Sequence, residues 1–277
     1  MTNLDDKFIK SYLTREGFWY SFKRSVGDIG NLFLLFRYLQ VYEGLNWNNQ
    51  QKEFSDILIK EKLLTPSKNS EDSSANSRGI KKVFELLGLC FVDEQEKLQI
   101  TSVGKKFLQS KSNEELYEIK TSQLLKYQIN NPLIKSKNFK DMQIKPFAFL
   151  LKLLTNLENQ SISATEFKLF LSRAHHINEF ESILELVKDW RNSSEIEKDK
   201  IKNKLSNSKI YEKISSYTGY SMVFFGKSIF TEITEFEDEN IIYLKQDKIE
   251  QIKKILKNDG IYDYQLNLDK VEEFMSY

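Results

Sequence analysis

The chain has 277 residues, 40 % hydrophobic and 29 % charged, with ten glycines and three prolines, enough length for two domains and few residues that break helices. Forty-one basic side chains against forty acidic leave a formal charge of +1, which does not by itself announce a nucleic-acid binder. No apolar run approaches the roughly 18 residues of a membrane span, no signal-peptide pattern opens the sequence, and the one cysteine, Cys90, lies in an apolar run; membrane helices and a disulfide framework are excluded, and a cytoplasmic protein is expected.

In chain order, the opening segment ends in the aromatic-basic run GFWYSFKRS (17–25), and NLFLLFRYLQVYEGL (31–45) is a dense apolar helix. QQKEFSDILIKEKLL (50–64) places Phe54, Ile57, Leu58 and Leu63 at helical spacing, and the polar stretch 65–77 is a loop. A third helix runs from Arg78 to Leu87 and closes on Gly88. Phe91 to Ile100 alternates around Asp93-Glu94-Gln95-Glu96 and predicts a hairpin, after which Thr101 caps another helix. Helix, helix, helix, hairpin, helix is winged helix-turn-helix order, in which the third helix enters the major groove and the hairpin lies beside the backbone. Lys81 and Lys82 are therefore expected to stand exposed, with a duplex as their partner.

The second half repeats this plan loosely. PFAFLLKLLTNL (146–157) is a helix begun by a proline, and Ser163 with Glu166 has capping-box spacing ahead of ATEFKLFLSRA. INEFESILELVKDWRNS puts Ile183, Leu186, Val187 and Trp190 on one face, and a lysine-rich helix (195–205) follows. KIYEKISSYTGY then leads to two runs read as strands, SMVFFGKSIFTEI and NIIYLKQD, and to a closing helix, KIEQIKKIL. The expected fold is mainly α with small β-hairpins, two tandem winged-helix-like subdomains divided as 1–140 and 141–277.

Charge is unevenly spread. Residues 105–140 carry eight lysines against three acids, residues 198–213 six against two, while 232–239 holds five acids and no base. Such segregation can steer an anionic partner onto one face.

Cutting chemistry is harder to find. Glu118-Ile119-Lys120 spells ExK with Asp93 upstream, but NEELYEIKTSQLLKY has a helical pattern, whereas a metal-dependent nuclease needs its carboxylates clustered on strands. Gln95-Glu96-Lys97 lacks an acid partner and fits an exposed turn. Gly226-Lys227-Ser228 ends like a phosphate-binding loop, yet position 221 is Ser where that pattern needs Gly. His175 and His176 are adjacent, with no cysteine or third histidine near for zinc. No catalytic and no metal-binding residue is assigned.

WYSFKRS near the start resembles the N-terminal signature of the AlwI-type restriction endonucleases, which include type IIS cutters and nicking relatives. The resemblance continues in order through SRGIKKVFELLGLCFVDEQEKLQITSVGKKFL, LLKYQINNP, IKPFAFLLKLL, ISATEFKLFLSRAHHINEFESILELVKDWRN, SYTGY and DKVEEF. It implies a DNA-recognition region of winged-helix-like subdomains, followed by a linker and a separate PD-(D/E)xK nuclease domain holding magnesium. Tyr277 stands about where that linker is expected to begin. The expected partners are double-stranded DNA and a nuclease domain or subunit; no cofactor is expected in this chain, and Mg2+ is expected in the nuclease.

For the first subdomain the expected DNA contacts are Asn76, Ser77, Arg78, Lys81 and Lys82 at the third helix, with Lys23 and Arg24 in the aromatic-basic run. Arg78 matches a basic residue of the family motif and can pair bidentately with guanine. Lys105 and Lys106 are expected to hold phosphates. For the second subdomain they are Arg173, His175 and His176, then Lys209, Tyr211, Lys213, Ser215, Ser216 and Thr218. The function expected is sequence-specific recognition for a type II restriction or nicking enzyme. The other reading is a stand-alone two-winged-helix transcription regulator or replication initiator.

Overall fold

Asp28 starts the first helix, α1 (Ile29–Gln40), its carboxylate accepting the Asn31 N–H at 3.0 Å. The computed structural model describes residues 19, 24–65, 74–129, 131, 133, 139, 141–206, 219–258 and 261, the side chains of 24 and 204–206 excepted. These fall into two compact units. One comprises residues 24–127 with Asn131 and Leu133, and the other comprises Trp19, 128–129, 139, 141–206, 219–258 and 261. The chain thus passes between units over several residues rather than at a single point near 140, and Trp19 groups with the later half.

In the first unit α1 is followed by α2 (Trp47–Lys60), α3 (Ala75–Leu86), β1 (Cys90–Val92), β2 (Leu98–Ile100), α4 (Ser102–Gln109) and α5 (Asn113–Lys126). Its core gathers Phe36, Phe54, Phe84 and Phe107, all fully buried, with Phe36 and Phe84 ring centroids 4.8 Å apart. Cys90 lies in this core as a free thiol. The expected signals hold locally. Gly88 adopts φ 69° just past α3, where a side chain would be strained, and Thr101 accepts the Gly104 N–H to cap α4. β1 and β2 pair antiparallel with Cys90 opposite Ile100. The turn between α1 and α2 adds a third edge: Gly44 N–H donates to Leu98 O, Leu98 N–H to Leu45 O, and Asn46 bridges Lys97. The strand-like order is therefore 44–46, β2, β1.

The second unit contains α6 (Pro146–Asn156), β3 (Ser161–Ser163), α7 (Ala164–Leu169), α8 (Phe180–Asn192), α9 (Glu195–Ser206), a helical run at 219–226, β4 (Thr231–Phe236), β5 (Glu239–Leu244) and α10 (Ile249–Leu256). Pro146 opens α6, and Ser163 and Glu166 form the full capping box at α7. The helix read over ATEFKLFLSRA is shorter, giving way after Leu169 to a 3-10 turn at Leu171–Arg173.

One expectation is overturned. SMVFFG, read as the start of a strand, is helix, and strand begins only at Thr231. Ser221, Met222, Phe224 and Phe225 are all buried. That is the 1-2-4-5 spacing of one helical face, which an unbroken apolar run does not distinguish from a buried strand. The sheet order is β3-β5-β4. Both units therefore share one plan: an early short strand pairs with the second strand of a late hairpin, and a helix packed by its apolar face runs into that hairpin. No helix among the described residues is long and apolar enough to cross a membrane.

Candidate nucleic-acid interface

The α3 helix is held by its buried face and by its first turn. Ile80, Val83 and Phe84 have no exposed surface, and Ser77 Oγ donates to the carbonyls of Gln51 (3.0 Å) and Ser74 (2.7 Å). Ser77 is fully buried. It pins α3 to α2 and does not face the solvent from which a duplex would approach, contrary to the expected base contact. The outward face carries exposed Ala75 and Arg78, with Asn76, Gly79 and Lys82 half-buried. Arg78 Nη1 donates to Ser74 Oγ at 2.5 Å, folding the guanidinium back along the first turn.

The two lysines expected to stand free do not. Lys81 Nζ lies 2.6 Å from Glu85 Oε1 and 5.7 Å from the centre of the Trp47 ring. Lys82 Nζ lies 3.4 Å from Glu85 Oε2 and donates to the Leu133 carbonyl. Glu85 has only 5 % of its side chain exposed, and both lysines pair with it at one-turn helical spacing. Burial pushes the neighbouring Cys90 thiol well up, Glu85 adds to this, and the two lysines partly offset it.

The hairpin departs from the expectation of a phosphate-facing wing. Asp93 accepts from the backbone N–H groups of Lys97 and Gln95 and from Gln99 Nε2; the Lys97 N–H, as the largest influence, holds its carboxyl below the usual aspartate value. Glu94, Gln95 and Glu96 are exposed at the tip. The other hairpin is more acidic, with Glu232, Glu235, Glu237, Asp238 and Glu239 on or between its strands. Neither tip suits a phosphate backbone. Cations lie beside the first hairpin instead: Lys105 is 60 % exposed with Nζ 3.6 Å from Glu43, and Lys106 is exposed on the same helix.

In the second unit, Arg173 and His175 are buried at 2 % and 6 % exposure. They belong to an internal joint: Trp19 donates from its backbone N–H to Ser172 O and from Nε1 to Ala174 O, Gln143 N–H donates to His175 O, and His175 N–H donates to Glu179 Oε2. The expectation that Arg173 and His175 contact DNA is thus at odds with their placement, while His176 is half-buried and bridges Gln143. Lys23, Lys209, Tyr211, Lys213, Ser215, Ser216 and Thr218 lie outside the described residues. Arg24 begins a 3-10 turn, its side chain undescribed.

Sequence reasoning passed over Tyr220, 41 % exposed at the start of the described helical run, and Lys168. Lys168 helps line a cavity of about 380 Å³ with Thr165, Gly219, Met222, Asp238 and Asn240. At its rim Glu239 Oε1 accepts the Thr165 N–H at 2.6 Å.

Arg191 fixes α8 to the start of α7, its Nε and Nη2 donating to Glu166 at 2.7 and 2.9 Å and Nη2 also reaching Ser161 O. The Glu166 hydrogen bond holds the guanidinium above its ordinary value. Among the described residues, no three His, Cys, Asp or Glu side chains come together to hold a metal ion. Glu118 and Lys120 lie on helix α5, and Lys120 is 2 % exposed.

The described architecture resembles a solved one. Over 88 % of both chains, at 14 % identity and a TM-score of 0.53, it matches the BpuJ1 endonuclease binding domain, determined in complex with pyrene- and phenanthrene-modified DNA. That likeness is one of fold. Comparison with curated protein sequences finds no significant match. The sequence profile of the AlwI restriction endonuclease family matches residues 85–276, well over half of the chain, and the chain belongs to the AlwI restriction endonuclease family.

Proposed function

We propose that this chain reads a DNA sequence for a cytoplasmic type II restriction endonuclease of the type IIS or nicking kind, with cleavage supplied by a separate nuclease domain or subunit that holds Mg2+. The observation that carries the reading is the plan shared by the two units, in which a helix anchored on its apolar face leads directly into a hairpin. We read this plan as winged-helix-like, which would suit placing the outer face of that helix in a major groove. Family membership and a fold neighbour solved with DNA support it. In the first unit Arg78 is the reading residue: it is exposed, sits one turn into α3, and has the fork that pairs with guanine O6 and N7. Lys105 and Lys106 act as phosphate contacts, which position without specifying.

Selection from random duplex DNA with the purified chain tests this. The expected product is one asymmetric motif. Arg78→Ala loses preference at a single position, by about 1–3 kcal/mol, while Lys106→Ala weakens all duplexes alike. No enriched motif would overturn the reading, and a dyad-symmetric motif bound by two copies would favour a stand-alone transcription regulator.

A further inference from the structure

Lys82 occupies two environments at once. It follows Arg78 by four residues, so both side chains rise from the same face of α3. Its ammonium also reaches 51 residues along the chain to the Leu133 carbonyl. That carbonyl is held in place locally: Leu133 N–H donates to Asn131 Oδ1 at 3.0 Å, and both residues are buried, at 7 % and 4 % exposure. Glu85 Oε2 lies 3.4 Å away, and the Lys82 side chain keeps 26 % of its surface. The lysine thus ties the segment after α5 to the helix proposed to read DNA.

We propose that this contact is a latch that duplex binding opens. The proposal rests on the DNA reading of α3 given above. A duplex seated on Arg78 brings phosphate oxygens to the next turn of the same face, where Lys82 lies. A phosphate is an ionised acceptor and makes the stronger, charge-assisted bond, whereas the Leu133 carbonyl is neutral. One ammonium on a four-carbon stem cannot keep its bond to a buried carbonyl and also turn outward to a phosphate. The latched and DNA-bound states therefore compete. Affinity is reduced by the fraction of molecules in which the lysine is free, and occupancy of α3 is communicated to the chain at Asn131 and Leu133. Glu85 remains beside Lys81 in both states, so the helix keeps its buried ion pair when the latch opens.

The Leu133 amide supplies a readout, because its N–H, held by Asn131 Oδ1, belongs to the same residue as the carbonyl that the latch grips. Hydrogen exchange at Leu133 in the 277-residue chain is measured with and without saturating duplex, using the selected motif or a 20-base-pair random-sequence pool at low salt. Exchange is expected to quicken when duplex is present. Asn131→Ala removes the acceptor that holds Leu133, and should quicken exchange in the free chain and tighten duplex binding about threefold. Lys82→Gln should also quicken exchange, but should weaken binding and lower the slope of log K against log salt by about one. Thermal melting establishes that each variant is folded; where Asn131→Ala is not, the exchange comparison on the unaltered chain decides. Exchange at Leu133 that ignores the duplex, or a folded Asn131→Ala chain that binds no more tightly, overturns the latch and leaves the DNA reading standing. An unaltered chain that binds no duplex at all overturns both.

Discussion

A methyl group on Gly104 would lie 2.1 Å from the Leu89 carbonyl oxygen and 2.9 Å from Ile100 Cγ2. The carbonyl has little freedom to withdraw, because it accepts both the backbone N–H and the hydroxyl of Thr101 at 3.0 and 3.1 Å. The same threonine caps α4 through the Gly104 N–H, so hairpin, cap and helix are joined at one point. Gly104→Ala is expected to destabilise the chain by about 1–3 kcal/mol, the cost of overpacking against backbone. Gly219 has nothing within 4 Å of its would-be methyl and lies in a helix, so Gly219→Ala should be neutral or stabilising by up to about 1 kcal/mol. Urea titration of both variants against the unaltered chain checks the pair, and equal effects at the two positions would contradict the packing argument. Lys81 and Lys82 both pair with Glu85, and Arg78 is the most exposed cation on α3.

Among the elements, Trp19 shows how a short stretch can be fixed by distant partners. Its ring meets Phe149, Phe167 and Phe225 edge-on at centroid distances of 6.4, 5.7 and 5.8 Å, and its Nε1 bond spans 155 residues to Ala174. Trp19→Ala is expected to cost about 3–5 kcal/mol through the cavity it opens. Trp19→Phe keeps an apolar ring but leaves the Ala174 carbonyl without its donor, and should cost less, about 1–3 kcal/mol. Denaturant midpoints in the order Ala, Phe, Trp test this, and a Phe variant as weak as Ala would show that the hydrogen bond outweighs the ring. The aromatic run at 17–25 does not reveal which half Trp19 anchors, since nothing local encodes a partner 155 residues away. Caps were legible for the opposite reason. Thr101, and Ser163 with Glu166, act within three residues, so spacing alone predicts them. The run at 221–226 was misread because continuous apolarity hides its period, and Ser77 because burial of a serine depends on where α2 lies.

At the scale of the whole molecule, attraction to DNA and the chemistry of cutting separate. A charge of +1 arises from basic helices and two acidic hairpins, so any phosphate contact must come from particular faces and not from the total. Such contacts tighten ground-state binding, whereas hydrolysis of a phosphodiester needs groups that act on the transition state, usually carboxylates that hold a divalent ion. The Glu118-Ile119-Lys120 triplet offers no such arrangement. Glu118 and Lys120 stand on a helix, and the lysine is buried with its ammonium 5.8 Å from the Tyr117 ring centre. The prediction is that this 277-residue chain leaves supercoiled plasmid intact over hours in Mg2+ or Mn2+ while still binding duplex. Cleavage should appear only when a nuclease domain of the same family is joined to it or added, at a fixed offset from the sequence the chain selects. Nicks produced by the chain alone and abolished by Glu118→Ala would place the cutting site on α5 instead, and would require that helix to open for Lys120 to reach the phosphate.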